Sequence, residues 1–298
     1  NFIVLGLGRS GMASAHALNA SGANVICWDD DPEKRSLASS QGLRVISLVS
    51  DFDWQSIDRL IISPGVPHHF PSPHPIVSAA VSAGVLIDND VGLFFQSIAT
   101  KSWDKFSVRP RIVAVTGSNG KSTTASLLHH IFLKLGYKSQ LAGNIGRGVL
   151  DIDPPENNEL LVLELSSYQI EVARILSPDL AIFTNFSADH LERHGGIGGY
   201  LAAKRRLFTE GCPDYSIIGV DELAGLNLAQ QLSASIGDES IIRVSATKQM
   251  RRFDWSIFLD AGYLVEHRKG KQINSTDLKV FDNFVGPHSY QNAASAYA

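Results

Sequence analysis

The sequence predicts an α/β protein made of two parallel-sheet units in tandem. Three observations carry that expectation. Strand-like and helix-like runs alternate from the first residues onward, a G-x-G-x-x-G turn follows the first strand, and a second glycine-rich turn follows a strand near residue 116. Alternation of this kind implies right-handed crossovers and a parallel sheet, with ligands at the carboxyl ends of the strands. The chain has 298 residues, long for one core and comfortable for two.

In the first unit, residues 2–7 read as a strand, 11–19 as a helix, 24–28 as a strand and 32–41 as a helix. A short strand over 60–63 ends in Pro64-Gly65, a helix follows over 75–83, and 85–87 is strand-like. Gly6-Leu7-Gly8-Arg9-Ser10-Gly11 lies between strand and helix, and Asp29 ends the second strand. Both features fit a Rossmann dinucleotide fingerprint, in which the carboxylate would hold a ribose hydroxyl. The loop needs only a diphosphate, so NAD and UDP both remain open. Ser63-Pro64-Gly65-Val66-Pro67 reads either as a plain turn or as a ligand wall, since Gly65 permits close backbone approach.

Residues 99–110 are polar and mixed and read as a linker, giving units of 1–98 and 99–298. The second unit opens on Thr116-Gly117-Ser118-Asn119-Gly120-Lys121-Ser122-Thr123, between a strand over 111–115 and a helix over 124–135. Backbone N–H groups at a helix N-terminus favour an anion there. Lys121 would reach the outer phosphates of ATP and Ser122 would offer a hydroxyl to Mg2+. The spacing, G-x-x-G-K-S, is two residues shorter than the usual phosphate loop, and the unit reads as P-loop NTPase-like. Further strands are expected over 160–163, 180–183, 215–220 and 241–244, a hairpin over 253–272, and a helix beginning near Asn292.

Three polar segments sit at expected strand ends. Glu164 would be a costly buried carboxylate unless it met a cation such as Mg2+; the alternative is a cap on the next helix through Ser166 and Ser167. His190, among Asn185 and Asp189, fits a metal or substrate role, or a solvated loop. Residues 200–208, with Lys204, Arg205 and Arg206, read by themselves as an amphipathic surface helix.

Bulk properties exclude some classes. A net charge of −4 argues against general nucleic-acid binding. Cys27 and Cys212 form neither a disulfide framework nor a zinc spacing, so a reducing cytoplasm is the expectation. No run of 18 or more apolar residues suggests a membrane span. The chain begins without methionine and stops inside a helix, so further sequence is expected on the C-terminal side. Nothing in the pattern suggests more than a monomer.

Taken together the motifs resemble the Mur ligase family of peptidoglycan synthesis. The matching segments are GLGRSG (6–11), SPGV (63–66), TGSNGKST (116–123), GNIG (143–146), ELSSYQIE (164–171), NFSADHLERH (185–194), YLAAKRRLF (200–208) and GPHSYQN (286–292). ELSSYQIE and the AAKRRLF helix point to the D-glutamate-adding branch. The resemblance implies that ATP phosphorylates the carboxylate of UDP-N-acetylmuramoyl-L-alanine and that the D-glutamate amine displaces phosphate. It implies ATP contacts from Gly117, Ser118, Asn119, Gly120, Lys121, Ser122, Thr123 and Asn292, the last at the adenine. Substrate contacts are implied for Gly8, Arg9, Ser10, Gly65, Asn144, Ser166 and His190. Lys121, Glu164, His190 and Lys204 would be the catalytic set. Two Mg2+ ions are implied, one on Ser122 and Glu164, the other on His190 and a carbamylated Lys204.

This chain departs from the family pattern at Asn89 and Gly92, where Gly-Asp-x-Glu-Leu is usual, and at Ser289, where asparagine is usual. A third, D-glutamate-binding domain is expected beyond Ala298, so the chain alone is expected to have little or no ligase activity. Two readings compete: a NAD-dependent Rossmann oxidoreductase with a fused nucleotide domain, and another Mur or folylpolyglutamate-type ligase.

Overall fold

The computed structural model describes residues 1–48, 52–98, 103–281 and 286–298. Its first sheet is built from β1 (Phe2–Leu5), β2 (Val25–Trp28), β3 (Arg59–Ile62) and β4 (Leu86–Asp88), in the order β2-β1-β3-β4 and parallel throughout. The central strands are apolar runs because both faces are covered, as parallel sheets require. Ile3, Leu5, Leu60 and Ile62 face α3 (Pro75–Ser82), while Val4, Cys27 and Ile61 face α1 (Arg9–Ala20) and α2 (Pro32–Ser40). The chain switches sides at β1, from β2 to β3, which opens a crevice at their carboxyl ends.

The second sheet has nine strands: β5 (Arg111–Thr116), β6 (Ser139–Gly143), β7 (Leu160–Glu164), β8 (Leu180–Phe183), β9 (Tyr215–Gly219), β10 (Ile241–Ser245), β11 (Trp255–Asp260), β12 (Tyr263–Arg268) and β13 (Lys271–Asp277). Their order is β13-β12-β11-β10-β9-β8-β5-β7-β6. The run from β6 to β11 is parallel, and β12 and β13 are antiparallel additions. One face packs on α5 (Lys121–Lys134) and α9 (Pro287–Tyr297), the other on α6 (Ser167–Val172), α7 (Ile197–Thr209) and α8 (Leu223–Ile236). Here the switch lies at β5, flanked by β7 and β8.

Several expectations need correction. Helix α4 (Asp90–Ile98) was not anticipated, and its Val91, Phe94 and Phe95 are buried in the second sheet's core. Residues 99–102 of the expected linker lie outside the described residues. Strand β13 was missed because its largely exposed, polar residues show no apolar alternation. Helix α5 begins at Lys121 rather than 124, and α9 begins at Pro287 rather than near Asn292, proline being suited to a first helical position. The expected surface helix over 200–208 is the greater part of α7, and it is not a surface helix: Tyr200, Ala203, Lys204, Leu207 and Phe208 recur at helical spacing and are all buried. Arg206 turns inward as well, donating to the carbonyls of Ile170, Glu171 and Ala173.

Candidate functional site

The first crevice forms a cavity of about 470 Å³ walled by Gly6, Gly8, Arg9 and Ser10 on one side and by Ser63, Pro64, Gly65 and Val66 on the other. Ser63 Oγ donates to Gly6 O at 2.7 Å and ties the two turns together. A Cβ built on Gly65 meets nothing within 4 Å, so a side chain there would enter open space beside the cavity. Asp29 also lines the cavity, yet its carboxylate accepts from Leu7 N–H (2.6 Å) and Asp31 N–H (2.9 Å). Its two oxygens thus tie the glycine loop, at Leu7, to the turn after β2, at Asp31.

At the second switch point, the glycine-rich loop over 117–120 leaves β5 and is fastened to the segment after β8. Ser118 N–H donates to Asn185 O and Asn119 N–H to Asn185 Oδ1, both at 2.9 Å, while Thr184 Oγ1 donates to Asn119 O at 2.6 Å. Gly120 is left-handed (φ 76°), and a Cβ there would stand 2.2 Å from Asn292 Oδ1. Only glycine fits that pairing. Asn292 is thus packed against the loop from α9 and lies 3.4 Å from Thr124 Oγ1. No side chain caps α5, an arrangement that suits an anion at its N-terminus, and Ser122 and Thr123 are exposed beside the first turn.

Beside this loop is a narrow cleft of about 120 Å³ lined by Lys121, Asn144, Ser166, Ser167, Tyr168, His190, Tyr200 and Lys204. The structure therefore brings five sequence-predicted residues to one wall-to-wall space. Glu164 ends β7 almost fully buried; its Oε1 accepts from Asn144 Nδ2 at 3.1 Å and its Oε2 has no hydrogen-bond partner. An orphaned buried carboxylate oxygen fits a cation. Among the described residues no three His, Cys, Asp or Glu converge on a metal position. That donor set suits Mg2+, which keeps water and phosphate oxygens and takes one or two carboxylates. His190 is half exposed in a left-handed conformation (φ 51°), 3.4 Å from the Asp189 carboxylate and against the Tyr168 ring.

Two lysines share this space. Lys121 Nζ donates to Ser118 O at 2.8 Å, and burial holds its pKa below the usual lysine value. Lys204 is 1% exposed, donates to Gly117 O at 2.7 Å and lies 4.5 Å over the Tyr200 ring. Burial first, and then the neighbouring Lys121 charge, push its pKa down to about 7. Ser166 caps α6 in a capping box with Gln169, which answers the question of what caps that helix; Glu164 does not.

No role was legible in the sequence for Tyr168 or Tyr200, nor for Asp90, which lies in the segment that departs from the family pattern. Tyr200 stands four residues before Lys204 on the same helical face, a spacing that could have found it. Asp90 is fully buried, shares hydrogen bonds with Ser10 and Gln169, and is held by burial above the usual carboxylate range. Hydrogen bonds that join the units include those of Arg9 to the Asn144 and Gly146 carbonyls, of Asn89 Nδ2 to the Gln169 carbonyl, and of Arg193 Nη2 to the Val66 carbonyl.

Residues 115–298, more than half of the sequence, match the family described as the Mur ligase middle domain. The chain belongs to the Mur ligase family. Among Mur ligases, a protein of Cereibacter sphaeroides (strain KD131 / KCTC 12085) named UDP-N-acetylmuramoylalanine--D-glutamate ligase is 55% identical over 295 residues, covering 99% of this chain and 63% of the relative. A protein of the same name from Ruegeria pomeroyi is 55% identical over 298 residues, covering 100% of this chain and 64% of the relative. This Mur ligase chain thus spans a little under two thirds of those relatives' length. The crystal structure of UDP-N-acetylmuramate:L-alanyl-gamma-D-glutamyl-meso-diaminopimelate ligase from Neisseria meningitides shares the fold, with a TM-score of 0.58 at 16% identity over 99% of this chain and 91% of that one. No helix among the described residues is long and apolar enough to cross a membrane.

Proposed function

We propose that this chain supplies the nucleotide-substrate unit (1–98) and the ATP unit (99–298) of a cytoplasmic, monomeric UDP-N-acetylmuramoyl-L-alanine:D-glutamate ligase. The observation that carries the reading is the cleft in which Lys121 and Lys204 meet beside the unpartnered oxygen of Glu164. Relatives of that name at 55% identity over nearly the whole chain support the substrate assignment.

In this reading the glycine loop, through Gly8 and Ser10, holds the UDP moiety together with Gly65, while Arg9 lines the same cavity with its guanidinium turned to the Asn144 and Gly146 carbonyls; Asn144, Ser166 and His190 hold the muramoyl-alanyl end. Residues 117–123 cradle the ATP phosphates, and Asn292 braces the loop on the adenine side. Lys121, already desolvated, has its charge strengthened toward the transferring phosphoryl group. A carboxylate is a poor electrophile; phosphorylation turns an oxide into a phosphate leaving group, and the D-glutamate amine then attacks the acyl carbon. Two Mg2+ ions, held by Ser122 with Glu164 and by His190 with Lys204, would neutralise the crowded phosphate oxygens. Lys204 gives up its proton near neutral pH, so its free amine can add to CO2, forming a carbamate and releasing one proton. The resulting anion suits a cation where a protonated lysine does not.

Calorimetry of this chain with UDP-N-acetylmuramoyl-L-alanine, with NAD and a folate as comparison ligands, tests the reading. Saturable binding of the UDP sugar alone is expected. Binding of NAD with none of the UDP sugar would return the glycine loop to a redox role.

A further inference from the structure

Arg9 stands in the turn that walls the larger cavity, but its guanidinium reaches into the second unit. Nη1 donates to Gly146 O at 2.8 Å and Nη2 to Asn144 O at 2.9 Å. The loop it grips is also held from its own sheet: Gly143 N–H donates to Arg147 O and Asn144 N–H to Glu164 O, each at 2.8 Å. The Asn144 side chain in turn donates to Glu164 Oε1 at 3.1 Å. Asn144 is therefore fixed at three points, two of them on Glu164 and the third on Arg9, the first residue of α1 in the other unit.

The choice of arginine has a physical reason. A planar guanidinium presents parallel donors that can span two carbonyls of one turn, whereas an ammonium is a compact point charge on a flexible stem. Asn144 lines the cleft, and Glu164 carries the buried oxygen without a partner. Arg9 itself lines the cavity together with Gly8 and Ser10. One side chain thus touches the space for an anionic nucleotide and the loop that orients the cleft's carboxylate.

We propose that Arg9 is a positioning residue that couples the larger cavity to the cleft, holding Asn144, and through it Glu164, in the arrangement the reaction uses. This rests on the ligase reading above. Arg9 is exposed, so its replacement should leave the fold intact.

The test compares wild type, Arg9→Lys and Arg9→Leu in a protein carrying this chain at the full length of its relatives, by steady-state kinetics and by amide hydrogen exchange over residues 143–147. Arg9→Leu should speed exchange there and lower kcat about tenfold, within the up to ~100-fold that a ~1 Å misplacement costs, while KM for the UDP substrate moves less than about threefold. Arg9→Lys should recover part of the loss. A raised KM at unchanged kcat would make Arg9 a direct substrate ligand and overturn the proposal, as would unchanged exchange together with unchanged kcat. A wild-type protein with no turnover would sink the ligase reading instead. The coupling contact would then stand or fall on the exchange result alone.

Discussion

The larger cavity of the first sheet is walled by two glycine turns and by ionisable side chains that already have partners: Asp29 accepts from backbone N–H groups, and Asp30 pairs with His74. The cleft of the second unit is a quarter of that size and gathers ionisable groups whose partners are missing or whose charges oppose one another. Shape and backbone donors recognise a ligand without reacting with it. Desolvated lysines beside an orphaned carboxylate are poised to act on charge that a ligand brings. In the function proposed above that difference separates binding from chemistry within one chain, and it can be broken or sharpened by experiment.

The largest effect is expected from Lys204→Ala, which should lower kcat in the full-length ligase by about a thousandfold or more, with UDP-substrate binding by calorimetry unchanged. A loss below tenfold would remove the cleft from the chemistry. Glu164→Gln should cost about a hundredfold, the order of a single well-placed electrostatic contact, and part of it should return as Mg2+ is raised. Indifference to Mg2+ would place the cation elsewhere. Gly65→Trp should act on the other region: its side chain fills cavity space, and an overpacking cost of ~1–3 kcal/mol corresponds to roughly five- to 150-fold weaker UDP-substrate binding. ATP-analogue binding, measured in parallel, should not move.

A subtler contrast lies in pH dependence. In the unfolded chain Lys204 keeps its proton until about 10.5, whereas in the folded chain it releases it near 7. Between those values the unfolded state binds more protons, so this group makes stability rise with pH, by at most ~1.4 kcal/mol per unit. Below about pH 7 both states hold the proton and the burial cost is present in full. Urea midpoints from pH 6 to 10 should therefore climb more steeply for wild type than for Lys204→Met; parallel curves would show that the amine is not desolvated. The smallest effect is expected at Gly92, where a Cβ would stand 1.9 Å from Asp88 Oδ1. Gly92→Ala should lower the urea midpoint through an overpacking cost of ~1–3 kcal/mol, with KM values unchanged.

The same Gly92 marks how far the sequence could be read. It stood out as a departure from the family pattern, but the reason is three-dimensional: the Asp88 carboxylate, paired with Arg59 at 2.9 Å, occupies the space a side chain would need. The parallel strands of both sheets and the glycine-rich turn after β5 were legible, because apolar runs and glycine turns are local signals. The polar edge strand β13 carried no such signal. Lys204 illustrates the limit most clearly. Its helix looks basic and exposed as a pattern, and only the packing of Tyr200, Ala203, Leu207 and Phe208 shows that the lysine is drawn into the interior. Resemblance named Lys204 for a metal, but its burial and its contact with Gly117 are properties of the fold.

Helix α4 has a practical consequence for anyone dissecting this chain. It follows the last strand of the first sheet, yet Val91, Phe94 and Phe95 are seated in the hydrophobic interior of the second. A fragment cut after residue 98 would carry two orphaned phenyl rings into solvent and invite aggregation, while its complement would be left with a hole. A cut placed ahead of Asp90 hands the helix to the piece it stabilises.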